Sequence, residues 1–237
     1  MARIDIELGD NETIVAKKLP ADPPRSSEEA EYVLDVLYDI NKVLGLTCRM
    51  QSLTGLRYSD ASYLKYSDFY DADGLFRSRF NLIQQKTYRM RLKRFELKHE
   101  RLATKAEKQM LARKSRVCVY TNKAIRNIVD EAAILNPPDL RSYLFENKRS
   151  KGKPMTVESA NEHHRNVKRE LHLEGINLST HSWRKYFSAT FLASGGSIYE
   201  LRDLLGHSDI KSTDKYLMSF SDRLKKLIEN LGGQNPL

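Results

Sequence analysis

The stretch that most constrains this chain runs from Thr180 to Tyr216: T-H-S-W-R-K-Y-F-S-A-T-F-L-A-S-G-G-S-I-Y-E-L-R-D-L-L-G-H-S-D-I-K-S-T-D-K-Y. It reads as two amphipathic helices. Phe187, Phe191 and Leu192 make the apolar stripe of the first, and Ile198, Leu201, Leu204 and Leu205 that of the second. Gly195-Gly196 separates them as a helix stop should. His181 and Arg184 are three apart, so they share a face of a helical start. His207 follows Leu-Leu-Gly, and Tyr216 stands nine residues further on. Singly, such a histidine is an ordinary hydrogen bonder and such a tyrosine ordinary packing. Together they suit phosphodiester chemistry. Arginine and histidinium hold the charge that develops on phosphorus, and a phenol serves as a covalent nucleophile.

The charge balance agrees with a polyanionic partner. The 237 residues carry a formal charge of +9, which favours nucleic acid over membrane. Hydrophobic residues at 40% and charged residues at 30% suit a soluble globular chain with a sizeable core. No apolar run is long enough to span a membrane. The start M-A-R-I-D-I-E lacks an apolar leader, which points to the cytoplasm. Cys48 and Cys118 lie 70 positions apart, so we expect two reduced core thiols and neither a disulfide nor a zinc site. His163 and His164 are expected at the surface of a helix over Met155–Leu171, with no second ligand pair to make a metal site.

Along the chain, residues 1–25 read as an arm closed by Pro20, Pro23 and Pro24, with room for a short strand at Arg3–Leu8. Ser26-Ser27-Glu28-Glu29 has the form of a capping box and opens a helix that Gly45 is expected to end. A second helix over Leu46–Leu53 leads into Thr54-Gly55-Leu56-Arg57, where the glycine suits a tight turn that aims Arg57. Asp73-Gly74 marks a turn. A strand over Leu75–Gln84, a return strand over Thr87 to about Leu92 and a further strand at Arg116–Tyr120 are expected, with Lys86 between the first two. Thr121–Leu135 reads as a helix with Ala124, Ile125, Ile128, Val129 and Ala132 inward. Leu217, Phe220, Leu224, Leu227, Ile228 and Leu231 form the stripe of a tail helix over 217–237.

Residues 86–116 hold twelve Lys and Arg against three acids, Glu96, Glu100 and Glu107. Phe95–Ala112 within it favours helix. We read this basic segment, about 93–115, as a DNA-contacting insertion. Its candidate contacts are Arg89, Arg91, Lys93, Arg94 and Lys98, joined by Arg149, Lys151 and Lys153 of the polar turn 146–154.

The motifs H-x-x-R, L-L-G-H and a tyrosine nine residues on, preceded by Thr-Gly-Leu-Arg with Asp60 three residues after Arg57, resemble the tyrosine recombinase (phage integrase) family. The resemblance covers about residues 26–216 in the family's order. It implies an α+β, mainly helical catalytic fold whose small antiparallel sheet carries a catalytic lysine, here Lys86. It implies that Tyr216 attacks DNA to form a 3′-phosphotyrosine, that Arg57 and Arg184 clamp the phosphate, and that His181 takes the phenol proton or orients. It further implies His207 as a donor to the phosphorane and Lys86 as the acid for the leaving 5′-oxygen. No cofactor, metal or ATP is implied. The implied partners are double-stranded DNA, a tetramer of the chain docked through the 217–237 tail, and an accessory DNA-bending protein, in a bacterial or phage-infected cell. Family members commonly place a DNA-clamping domain before this one. Only 25 residues precede Ser26, so the resemblance implies a single-domain recombinase or a fragment. A type IB topoisomerase-like strand transferase, a telomere resolvase and a non-catalytic DNA-binding protein on the same fold are the alternatives. The complete residue set argues against the last of these.

Overall fold

The computed structural model describes residues 6–7, 15–16, 20–137, 142–147, 152–207, 209–210 and 212–213. Two short strands come first, β1 (Ile6–Glu7) and β2 (Val15–Ala16), paired antiparallel. The segment after them is fastened to the loop around Asn177: Asp22 N–H donates to Asn177 O at 3.0 Å and Asn177 N–H to Asp22 Oδ2 at 2.9 Å.

Helix α1 (Ser27–Ile40) starts at the expected cap, Ser26, whose Oγ accepts Glu29 N–H at 3.1 Å. It ends earlier than expected. Asn41 closes α1 and also caps α2 (Lys42–Thr54), its side chain accepting Leu44 N–H at 3.0 Å. Gly45 therefore ends nothing and lies inside α2. A Cβ there would stand 2.5 Å from Tyr38 Cα, so the residue serves the close crossing of the two helices.

Helix α2 is the axis of the molecule, buried on opposite sides. Leu46 and Met50 face one core, with Leu64, Phe69, Phe80, Val119, Ile125 and Phe145. Leu44 and Cys48 face another, with Leu34, Leu37, Val167, Leu178 and Trp183. Two single-turn helices follow, α3 (Tyr58–Ala61) and α4 (Tyr66–Phe69), and then β3 (Arg79–Ile83).

The next segment departs from expectation. Thr87–Leu92 forms no return strand. It belongs to α5 (Gln85–His99), which leads to α6 (Lys105–Arg113) before the chain returns as β4 (Arg116–Tyr120). β3 pairs directly with β4, from Arg79 opposite Tyr120 to Ile83 opposite Arg116. The sheet edge that a hairpin needs is thus filled by β4. The run Gln-Lys-Thr-Tyr-Arg-Met-Arg-Leu has no Gly, Pro or Asn to turn it and is rich in straight-chain helix formers. Between α5 and α6 the chain turns at Glu100, in the left-handed region with φ 49°. A capping box restarts it: Thr104 Oγ1 accepts Glu107 N–H, and the Glu107 carboxylate accepts Thr104 N–H at 2.8 Å.

Helix α7 (Lys123–Leu135) packs Ile125, Ile128, Val129 and Ala132 inward, as its spacing predicts, while Ala124 is exposed. Helices α8 (Val157–Glu170), α9 (Ser182–Ala193) and α10 (Ile198–Leu205) complete the described fold. His164 on α8 is not at the surface. It is fully buried, with Nδ1 2.7 Å from Ala160 O and Nε2 accepting Trp183 Nε1–H at 2.8 Å. Burial pushes its pKa down to about 4. Cys48 and Cys118 are both free thiols, the first buried and the second half-buried on β4.

Candidate active site

Four chain segments converge at the C-terminal end of α2. They are Gly55–Asp60, the start of α5, the start of α9 and the stretch after α10. Gln51 near the end of α2 ties two of them together, its Nε2 donating to Leu56 O and to Thr180 O, both at 3.1 Å. Gly55 then ends the helix with φ +66°, and a Cβ there would meet Phe187 Cδ1 at 2.4 Å. Only glycine satisfies both the backbone turn and that contact. The turn places Arg57 beside Gln84 and Thr87.

Arg184, on the first turn of α9, is fully enclosed. Its Nη1 donates to Gly55 O at 2.6 Å and its Nη2 to Leu205 O at 2.8 Å. Nη2 also lies 3.0 Å from His207 Nε2. Arg57 is different. Its side chain keeps 21% of its surface exposed. Nη1 donates to Gln84 Oε1 at 2.6 Å and to Thr87 Oγ1 at 3.3 Å, and it stands 3.9 Å from the buried carboxylate of Asp60. Burial pushes the Asp60 carboxyl up, opposed by Gln85 N–H, which it accepts, and by Arg57 and Arg184.

Gln84 carries no motif of its own in the sequence. It caps α5, is fully buried, and joins the two arginines. Its Oε1 accepts from Arg57 while its Nε2 donates to Leu205 O at 2.9 Å, the carbonyl that Arg184 also uses. The only sequence signal is its place, two residues before Lys86 in a Q-Q-K-T run.

Both site histidines are neutral near pH 7. Burial, then Arg184 and Arg57, push His207 down to about 3. His181, at the N-cap of α9, is pushed down to about 4 by surrounding protein and by Arg184, Lys185, Arg57 and Lys86. Burial of the titrating group is the larger cause, and the four cations add to it. Lys86 therefore lies within electrostatic reach of His181. Lys86 itself is exposed in the first turn of α5, three residues beyond the end of β3.

The structure thus gathers Arg57, Lys86, His181, Arg184 and His207 around one surface. Tyr216 and the tail stripe lie outside the described residues, as do Arg149 and Lys151. Arg89, Lys93, Arg94 and Lys98 are exposed on α5. Arg91 turns inward, with Nη1 3.5 Å from Ser115 Oγ. Lys153 is exposed beside the Glu146–Pro154 bridge. Among the described residues no group of three His, Cys, Asp or Glu could hold a metal ion, and no helix is long and apolar enough to cross a membrane.

The sequence model of the phage integrase family matches residues 28–223. The chain belongs to the phage integrase family. Its members among solved structures share the fold at low identity. XerA recombinase aligns with a TM-score of 0.61 at 15% identity, over 98% of this chain and 70% of that one. The Tn1549 transposon integrase in complex with a circular intermediate DNA gives 0.58 at 14%, over 90% and 68%. XerH site-specific recombinase bound to palindromic difH substrate, a post-cleavage complex, gives 0.57 at 18%, over 89% and 53%. The chain thus spans between about half and 70% of these proteins. No curated protein matches its sequence.

Proposed function

We propose that this chain is a site-specific tyrosine recombinase that cuts and rejoins double-stranded DNA, with Tyr216 as nucleophile. The observation that carries the reading is the meeting of five cationic or imidazole side chains, drawn from distant segments, around one surface in a phage integrase fold. Solved structures of XerH site-specific recombinase bound to difH substrate include pre-cleavage and post-cleavage complexes.

In this reading the phenolic oxygen of Tyr216 attacks a backbone phosphorus. The bond to the 5′-oxygen breaks, leaving a 3′-phosphotyrosine and a 5′-hydroxyl. Lys86 gives its proton to the departing oxygen, and His181, neutral before the substrate arrives, accepts the phenol proton. The phosphodiester brings a negative charge among the cations that depress His181, which raises the basicity of its ring. Arg57 spends Nη1 on Gln84 and Thr87 and offers its other edge to a phosphate oxygen. Arg184 supplies a fixed, enclosed charge. Attack of a 5′-hydroxyl from a second duplex on the phosphotyrosine reverses the step and completes exchange. The energy of the broken bond is held in the intermediate. Exchange between two duplexes calls for four chains, and the apolar stripe of residues 217–231 is the segment we assign to their docking.

A nicked duplex carrying repeats from beside the chain's own gene tests this. The native chain should form a DNA-linked band on a denaturing gel, and Tyr216→Phe should bind the duplex without forming it. A band of undiminished intensity in the variant excludes Tyr216, with Tyr186 and Tyr199 the nearest rivals.

A further inference from the structure

We propose that the outward face of α5 is a second DNA-contacting surface that grips backbone phosphates flanking the scissile one. The inference rests on the recombinase reading and extends it to a segment that the mechanism leaves unused.

Helix periodicity sorts the α5 residues into two faces. Thr87, Tyr88, Arg91, Leu92 and Phe95 are buried or half-buried. Lys86, Arg89, Lys93, Arg94 and Lys98 are exposed. At 100° per residue, positions 86, 89, 93 and 94 fall on one side, opposite Phe95. The stripe therefore begins at the residue assigned as general acid and runs outward from the site. From Lys86 to Arg94 the rise is about 12 Å, which spans roughly three to four phosphates of one strand at 3.4 Å each.

Among the described residues, no acid forms a direct ion pair with this face. Two of the three acids in the segment are used at the far turn: Glu96 Oε1 accepts Ala103 N–H at 3.1 Å, and Glu107 pairs with Arg101 at 2.6 Å while capping α6. Glu100 is the left-handed residue of the turn itself. Among the described residues, none of Lys86, Arg89, Lys93, Arg94 and Lys98 has an ion-pair partner within 4.0 Å. Like charges three and four apart on a helix repel one another. A row of phosphates turns that repulsion into attraction with release of counterions. Two features oppose an acidic protein as the occupant: the row starts inside the site that holds DNA, and Met90 at 41% and Leu97 at 69% exposure are too few to make an apolar seam.

The test uses the full chain and a fluorescent duplex of non-specific sequence, with affinity measured against salt. Arg89→Gln, Lys93→Gln and Arg94→Gln combined should lower the slope of log K against log salt by about two to three, near 0.9 for each phosphate no longer neutralised. A control removes three exposed charges elsewhere, by Arg126→Gln, Arg165→Gln and Arg169→Gln, and should change the slope by less than half as much. Arg89→Lys with Arg94→Lys keeps the charge and should keep the slope, which separates removal of charge from damage to the fold. If the α5 variant falls no further than the control, the face is a bystander and the proposal fails while the recombinase reading stands. If the native chain binds no duplex at all, both fail.

Discussion

Nη2 of Arg184 stands 3.0 Å from Nε2 of His207, and this contact fixes the protonation of the histidine. A guanidinium has only donors, so Nε2 must accept and the ring proton must sit on Nδ1, where it faces Thr213 Oγ1 at 3.0 Å. The Leu-Leu-Gly-His motif therefore does two things for one arginine. Leu205 offers its carbonyl and His207 its ring nitrogen, on either side of the left-handed cap at Gly206. His207 Nε2 thus accepts from Arg184 and helps to hold its guanidinium in place.

Lysine cannot reproduce this arrangement. Its single ammonium cannot reach Gly55 O, Leu205 O and His207 from one rotamer as the planar fork does. Arg184→Lys should slow single-turnover cleavage on the order of 100-fold. DNA affinity should stay near native, because the residue is fully enclosed. Cleavage at the native rate would remove Arg184 from the chemistry.

Gln84 should behave as a positioning residue for Arg57. Gln84→Ala removes the bond to Arg57 and leaves one fewer donor on Leu205 O. At saturating DNA the cleavage rate should fall roughly 10- to 100-fold, the scale of a missing hydrogen bond to a charged group. The DNA dissociation constant should move much less. Gln84→Glu should not rescue, since a carboxylate can hold Arg57 but cannot donate to Leu205 O. A variant that cleaves normally once saturated would show Gln84 to be packing alone.

Much of this site was legible from spacing because its residues lie at helix boundaries. Gly55, His181 and Gly206 are caps, and caps have sequence signatures. The helix start at Ser26 was legible for the same reason. The β3–β4 pairing was not, since its two strands are separated by more than thirty residues of helix and turn, and no local pattern announces a distant partner. The environment of Lys86 was hidden with it. Nor could periodicity show that His164 on α8 faces Trp183 on α9, because a lone polar residue carries no sign of the partner that buries it. Gln84 was silent in the same way: its role exists only once α10 and Arg57 are folded against it.

Lys86 stands at the start of α5, and the assigned role is proton transfer to the 5′-oxygen. Lys86→Ala should slow cleavage of an ordinary duplex by about 100-fold or more, within the range for general acid catalysis. A substrate with sulfur in place of the bridging 5′-oxygen departs as a thiolate and needs little protonation. On it the variant should cleave within a few-fold of the native chain. An equal defect on both substrates would mean that Lys86 binds phosphate and does not deliver the proton.

The buried pair His164 and Trp183 should make the fold acid-labile. Trp183 donates to Nε2 and Nδ1 faces the Ala160 carbonyl, so the neutral ring with its proton on Nδ1 satisfies both neighbours. Protonation would set an Nε2–H against the indole N–H, with no water to absorb the charge. Burial lowers the pKa to about 4 from an ordinary 6.5. Between those values the unfolded chain binds the proton and the folded chain does not, so stability rises with pH across the window. The contribution is complete above pH 6.5 and is lost as pH falls toward 4, amounting to roughly 3 kcal/mol at most. His181 and His207 shift in the same direction and add to the trend, so a single variant must isolate this histidine. In His164→Gln an amide oxygen can accept from Trp183 and an amide N–H can reach Ala160 O, with no titration between pH 4 and 7. Denaturant unfolding at pH 7.0, 5.5 and 4.5 should show the variant less stable than the native chain at neutral pH, with a flatter decline on acidification. Parallel declines in the two proteins would place the acid-labile group elsewhere.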